Sequence, residues 1–190
     1  MLEITEDEVC EAAELSIRSL PRMKINGLTE SFRKCLAEAA SVCLEEQGHE
    51  FGTELNVFGD FERNYYLTWY DVDSQMLNCW MDDEVTTEHG AYGIATLLLE
   101  CLTEYTVIRR SKKKTGFDFW LGRKGASSSN GFQNEARLEV SGIRKGSTPM
   151  VDTRCRQKRD QMRKSDCLML TPLVVIVEFG EPCAKVVKEW

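Results

Sequence analysis

The chain has 190 residues, is 42% hydrophobic and 29% charged, and carries a formal net charge of −7. Those proportions suit one soluble globular domain with a sizeable core, and they exclude a disordered or fibrous protein. The longest apolar run, Leu173 to Val177, is far too short to cross a bilayer, and the acidic start MLEITEDEVCEAAEL lacks the regions of a signal peptide. The expectation is a cytoplasmic protein with no membrane partner.

Residues 6–20 place Val9, Ala12, Ala13, Leu15 and Ile17 at helical spacing, with Pro21 as the stop. Leu28 to Gln47 repeats apolar residues at three- and four-residue steps (Phe32, Leu36, Ala39, Ala40, Cys43, Leu44), which predicts a helix ended by Gly48. These two helices form an expected helical amino-terminal extension, 1–50, packed on a core of 51–190. From Glu54 to Val72 the pattern turns strand-like and reads as a hairpin broken by Gly-Asp; residues 73–84 suit at most a short helix. Thr86 or Thr87 can cap the next helix, to about Thr103, where Ala91, Ile94, Ala95, Leu98, Leu99, Cys101 and Leu102 build a broad apolar arc. Glu88 lies at the edge of that arc. An acid there is favoured by the helix dipole alone; it could also be a carboxylate aimed at a sheet.

Tyr105 to Arg109 reads as a strand, and Lys112-Lys113-Lys114-Thr115-Gly116 as a turn into a second hairpin. The arms of that hairpin are Phe117 to Leu121 and Ala136 to Ser141, rich in aromatic and β-branched residues, with a Gly, Ser and Asn loop between them that includes Ser127 to Ser129. Alternation puts Phe117, Phe119 and Leu121 on one face, with Leu138 and Val140, and puts Asp118, Trp120, Arg137, Glu139 and Ser141 on the other. Paired side by side, the arms bring Asp118 and Glu139 to one side of the sheet. Neighbouring acids, each costly to ionise beside the other, are what a divalent cation site requires. Arg137 or Arg109 could equally be a structural partner of Glu139, and Arg137 a phosphate ligand.

Ser147-Thr148-Pro149 opens a helix to about Lys164 that carries Arg154, Arg156, Lys158, Arg159, Arg163 and Lys164, with Gln157 and Gln161 four apart. Leu168 to Phe179 is a strongly apolar strand, and the tail suits an edge strand or a short helix. Residues 105–165 hold sixteen Lys and Arg against five Asp and Glu, so the acidic total hides a basic block of about +11. Clustered cations of that kind suit a polyanion such as nucleic acid, or simply a solvated charged face. The eight cysteines form no CxxC pair and there are two histidines, which argues against a zinc cluster and for reduced, mostly buried thiols.

The order helix with acid, strand, strand with Asp, strand with Glu, helix, strand resembles the core of the PD-(D/E)XK nuclease superfamily, the restriction-endonuclease-like fold. The resemblance implies an α/β (α+β) protein whose mixed sheet is flanked by helices. It implies metal-dependent hydrolysis of a phosphodiester, with Mg²⁺ or Mn²⁺ on Asp118, Glu139 and Glu88, in genome defence or repair. Gln157, and more loosely Gln161, correspond to a glutamine-bearing helix in one branch of the family. The family has Lys two residues after the second acid, and this chain has Ser141 there; Lys114, Lys145 or Lys158 could substitute. Lys112, Lys113, Lys114, Arg154 and Lys158 would hold a nucleic-acid backbone, DNA in preference to RNA, and Trp120 or Phe132 could stack on a base. The alternative is a catalytically inactive module on the same fold that binds nucleic acid or a protein, with the acidic amino-terminal half contacting a partner or a second copy.

Overall fold

The computed structural model describes residues 13–125, 135–164 and 170–188. Strand β1 (Ala13–Ser16) leads into a 3-10 helix, Ile17–Arg22, and then helix α1 (Glu30–Glu46). The hairpin β2 (Glu54–Gly59) and β3 (Arg63–Thr68) precedes the short helix α2 (Ser74–Cys79) and the long α3 (Asp83–Leu102). Strands β4 (Tyr105–Arg110), β5 (Phe119–Arg123) and β6 (Ala136–Ile143) follow, then α4 (Thr148–Lys164), β7 (Thr171–Glu178) and β8 (Cys183–Lys188).

Among the described residues the strands form one eight-stranded mixed sheet in the order β1-β3-β2-β8-β7-β6-β5-β4. Sequential β4, β5 and β6 are antiparallel neighbours, while α4 carries the chain across to β7, parallel to β6. Helices α1 and α3 pack on one face with Leu138, Val140, Leu173, Val175 and Val177. Helix α4 covers the other through Val151, Cys155 and Met162 against Val174 and Ile176. Strand β7 is therefore buried on both faces, which accounts for its unbroken apolar run.

Several expectations change. The described part of the first predicted helix is the edge strand β1 followed by the 3-10 helix, with Pro21 inside it; Val9 and Ala12 lie outside the described residues. Parallel pairing with β3 and burial of Leu15, Ile17 and Leu20 overrode the helical spacing. The amino-terminal segment thus supplies a strand and core side chains as well as a helix. Helix α3 starts before Thr86: its cap is Asp82, whose carboxylate accepts from the Glu84 and Val85 N–H groups, while Thr86 is buried in the first turns. The tail strand β8 is central, not an edge, since β7 and β2 pair with its two sides. Phe117 leaves the face of Phe119 and Leu121 and packs under α4, because the chain bends just before β5.

Helix α3 reaches the sheet closely at β6. A Cβ on Gly142 would lie 2.5 Å from the Thr87 carbonyl oxygen and 3.1 Å from the Ala91 Cβ. Gly142→Ala must push helix and strand apart, so we expect a loss of about 1–3 kcal/mol. Thermal denaturation should show a midpoint lower by roughly 2–4 °C per kcal/mol, and an unchanged midpoint would contradict the close approach.

Candidate active site

The site forms where β6 outruns β5. Their pairing runs from Leu121↔Ala136 to Phe119↔Leu138, and the Asp118 N–H still donates to the Leu138 carbonyl at 2.9 Å. Beyond that the strands part, and the Val140 N–H donates to the Asp118 carboxylate at 2.9 Å in place of a strand carbonyl. A ladder donor is thereby satisfied by an acid, which fixes Asp118 beside Glu139.

Glu139 is only 2% exposed. Its Oε1 accepts from Lys158 Nζ at 2.5 Å and from Gln161 Nε2 at 3.3 Å, both on α4. Burial first, and then the Asp118 charge, push the Glu139 carboxyl up to about 7, against the pull of Lys158. Burial also raises the Asp118 carboxyl above its usual range, opposed chiefly by the Val140 N–H and Tyr92.

Glu88 meets the pair through an intermediary. The buried Tyr92 hydroxyl lies 2.7 Å from Glu88 Oε1 and 2.9 Å from Asp118 Oδ1. Burial and the two carboxylates drive the phenol far above its ordinary value, so it stays protonated and has one proton for two acceptors. Tyr92 was missed in the sequence, although it lies one turn beyond Glu88 on the same helix face.

Two cavities share Glu88, Tyr92, Asp118 and Lys158 as a common wall. One, of about 620 Å³, is lined by Arg110, Lys112, Lys113 and Lys114, with Glu139 and Gln161. The other, of about 530 Å³, is lined by Asp83, Glu84, Ser141, Arg144 and Arg154. Arg154 donates to the Ser141 hydroxyl at 3.0 Å, so Ser141 holds a cation rather than standing in for one.

Of the three candidate lysines, only Lys158 is bonded to the acid pair; Lys114 lines the basic cavity, and Lys145 is exposed and lines neither. Gln161 reaches Glu139, whereas Gln157 is exposed and lines neither cavity. The side chains that α4 turns inward are set by its burial of Val151, Cys155 and Met162, and Lys158 and Gln161 lie next to that face. Buried Arg137 reaches the Met162 carbonyl at 3.5 Å, and Arg109 lies 4.9 Å over the half-buried Trp120 ring, so neither residue lines the cavities. Phe132 and the Ser127 to Ser129 loop lie outside the described residues.

When both are ionised, Asp118 and Glu139 present oxygen donors with more negative charge than one ammonium offsets, which suits a hard divalent cation. The three acids do not share one cage, because Tyr92 stands between Glu88 and Asp118. Among the described residues no three His, Cys, Asp or Glu side chains are grouped as a ready-made metal site. No helix there is long and apolar enough to cross a membrane. No family model, curated protein or solved structure matches the chain.

Proposed function

We propose that this protein hydrolyses phosphodiester bonds of nucleic acid in a metal-dependent reaction, as a divergent relative of the PD-(D/E)XK nucleases. The observation that carries the reading is the 2.5 Å contact of Lys158 with Glu139, next to Asp118. It supplies from α4 the amine that the family pattern puts two residues after the second acid. The element order α3-β4-β5-β6-α4-β7 and the splaying of β5 from β6 at Asp118 support it further.

Asp118 and Glu139 would hold Mg²⁺ or Mn²⁺; the ion, when bound, would supply an activated water and offset charge on the phosphate. Tyr92 holds the Asp118 carboxylate in place and links it to Glu88. Lys158 carries a positive charge to the point where the phosphate would gain negative charge. Arg110 and Lys112 to Lys114 form the electropositive wall that would bind the backbone, DNA in preference to RNA.

One observation favours a binding-only module: both Asp118 oxygens are already engaged, one with the Tyr92 hydroxyl that it shares with Glu88 and the other with the Val140 N–H. Incubation with supercoiled DNA, single-stranded DNA and RNA, in Mg²⁺, Mn²⁺ or chelator, separates the two readings. The nuclease reading expects cleavage with metal only, and a loss of about 10²-fold in rate for Lys158→Met. Salt-sensitive binding without cleavage under any metal would instead establish the binding module.

A further inference from the structure

The two cavities that meet at the acid pair differ in charge. The first carries five cations (Arg110, Lys112, Lys113, Lys114, Lys158) against three carboxylates. The second carries three cations (Arg144, Arg154, Lys158) against four carboxylates (Asp83, Glu84, Glu88, Asp118). Its cations are also occupied: Arg144 pairs with Glu46 and, at 3.6 Å, with Asp83, and Lys158 is on Glu139. Arg154 instead rests on the Ser141 hydroxyl and faces that space.

A phosphate in the first cavity therefore meets a surplus of cations. One in the second would stand against Asp83 and Glu84, which are exposed on the first turn of α3, and like charges so placed oppose binding. Each cavity has the volume of one small-molecule-sized ligand, and Glu139, on the wall of the first, is buried. A strand must enter such a space singly.

We infer that the substrate is a single strand engaged at its end, with its phosphates in the Lys112–Lys114 cavity and its terminal nucleoside, uncharged, in the cavity of Asp83, Glu84 and Arg154. This rests on the hydrolytic reading above for its chemistry, though the end preference also applies to binding alone. Hydrolysis there joins the water oxygen to the phosphorus that links the terminal nucleoside to its neighbour and breaks that phosphorus's ester bond to the neighbour's oxygen. That oxygen takes a proton, one terminal nucleotide leaves with the phosphate, and the new end is again an uncharged hydroxyl. Asp83 and Glu84 act as specificity determinants, turning away a strand that continues past the site.

The test compares a linear single-stranded oligonucleotide with the same sequence ligated into a circle. Fluorescence anisotropy in chelator reads binding, and gel analysis in Mg²⁺ or Mn²⁺ reads cleavage. We expect the circle to bind at least about tenfold more weakly than the linear strand. Asp83→Asn/Glu84→Gln should narrow that gap severalfold by strengthening binding of the circle, a gain that simple damage to the fold would not give. Equal binding of the two forms, no binding of either, or no change of the ratio in the double variant would overturn the inference. Equal cleavage of circle and linear strand would overturn it while leaving the hydrolytic reading intact. A linear preference without cleavage would sink the hydrolytic reading and leave this one.

Discussion

Asp118→Asn should lower the rate of metal-dependent cleavage by at least about 10³-fold while the protein stays folded. Asparagine keeps the shape of the side chain and an oxygen that can accept the Val140 N–H, now at 2.9 Å, so the junction where β5 leaves β6 survives. What is lost is the charge. Glu139, left alone of the pair beside Lys158, only balances the ammonium, and the surplus negative charge of two adjacent carboxylates that would hold a divalent cation is gone. Two measurements check this: single-turnover cleavage of the best substrate, and titration of Mg²⁺ or Mn²⁺ against thermal stability. A variant that cleaves at the wild-type rate would remove Asp118 from the chemistry. A variant that unfolds would leave the question to Glu139→Gln, which keeps an acceptor for Lys158.

The metal-free protein should lose stability as pH rises from about 4.5 to above 7, opposite to the behaviour of an acid in a favourable salt bridge. Glu139 has its folded carboxyl raised from 4.5 to about 7, so the native state holds this proton more tightly than the unfolded chain does. The stability it contributes is fully present below the unfolded value and disappears as pH climbs through the folded one. The limit is about 3 kcal/mol, from 1.36 kcal/mol for each unit of separation. Asp118 is shifted in the same direction, again by burial, and adds to the slope. Glu139→Gln cannot titrate, so the difference between its denaturation curves and those of the wild type isolates the effect. Saturating Mg²⁺ should remove the slope, since a bound cation favours the ionised acids, and its stabilisation should be larger at pH 8 than at pH 5. A wild type that follows Glu139→Gln across this range would show that the buried carboxyl is not the cause.

That Asp118 and Glu139 emerge on one side of the sheet is legible in the sequence because a strand alternates. Leu138 and Val140 needed a core, which forced Glu139 to the other side, and the pairing with β5 brought Asp118 beside it. Helix α1 and the hairpin β2–β3 were likewise visible from a local period with its cap or turn, and helix α4 from its Ser147-Thr148-Pro149 start. Residues 13–22 were not, because their helical spacing was too short to outweigh a parallel partner in β3, fifty-two residues away.

What the chain's own order determined is therefore local: which residues form each helix and strand, and which way the side chains of β6 face. Tertiary structure decided the rest. Lys158 rather than Lys114 or Lys145 reaches Glu139 because α4 lies across β6 and β7, and its apolar residues fix which turn faces the acids. Tyr92 stands between Glu88 and Asp118 because Gly142 lets α3 approach β6 closely. The unequal charge of the two cavities comes from side chains on α3, β4, β6, α4 and the connections between them, which meet only on folding. Periodicity is carried by neighbours along the chain, whereas a site's geometry is set by packing between distant segments, and no short-range pattern encodes that.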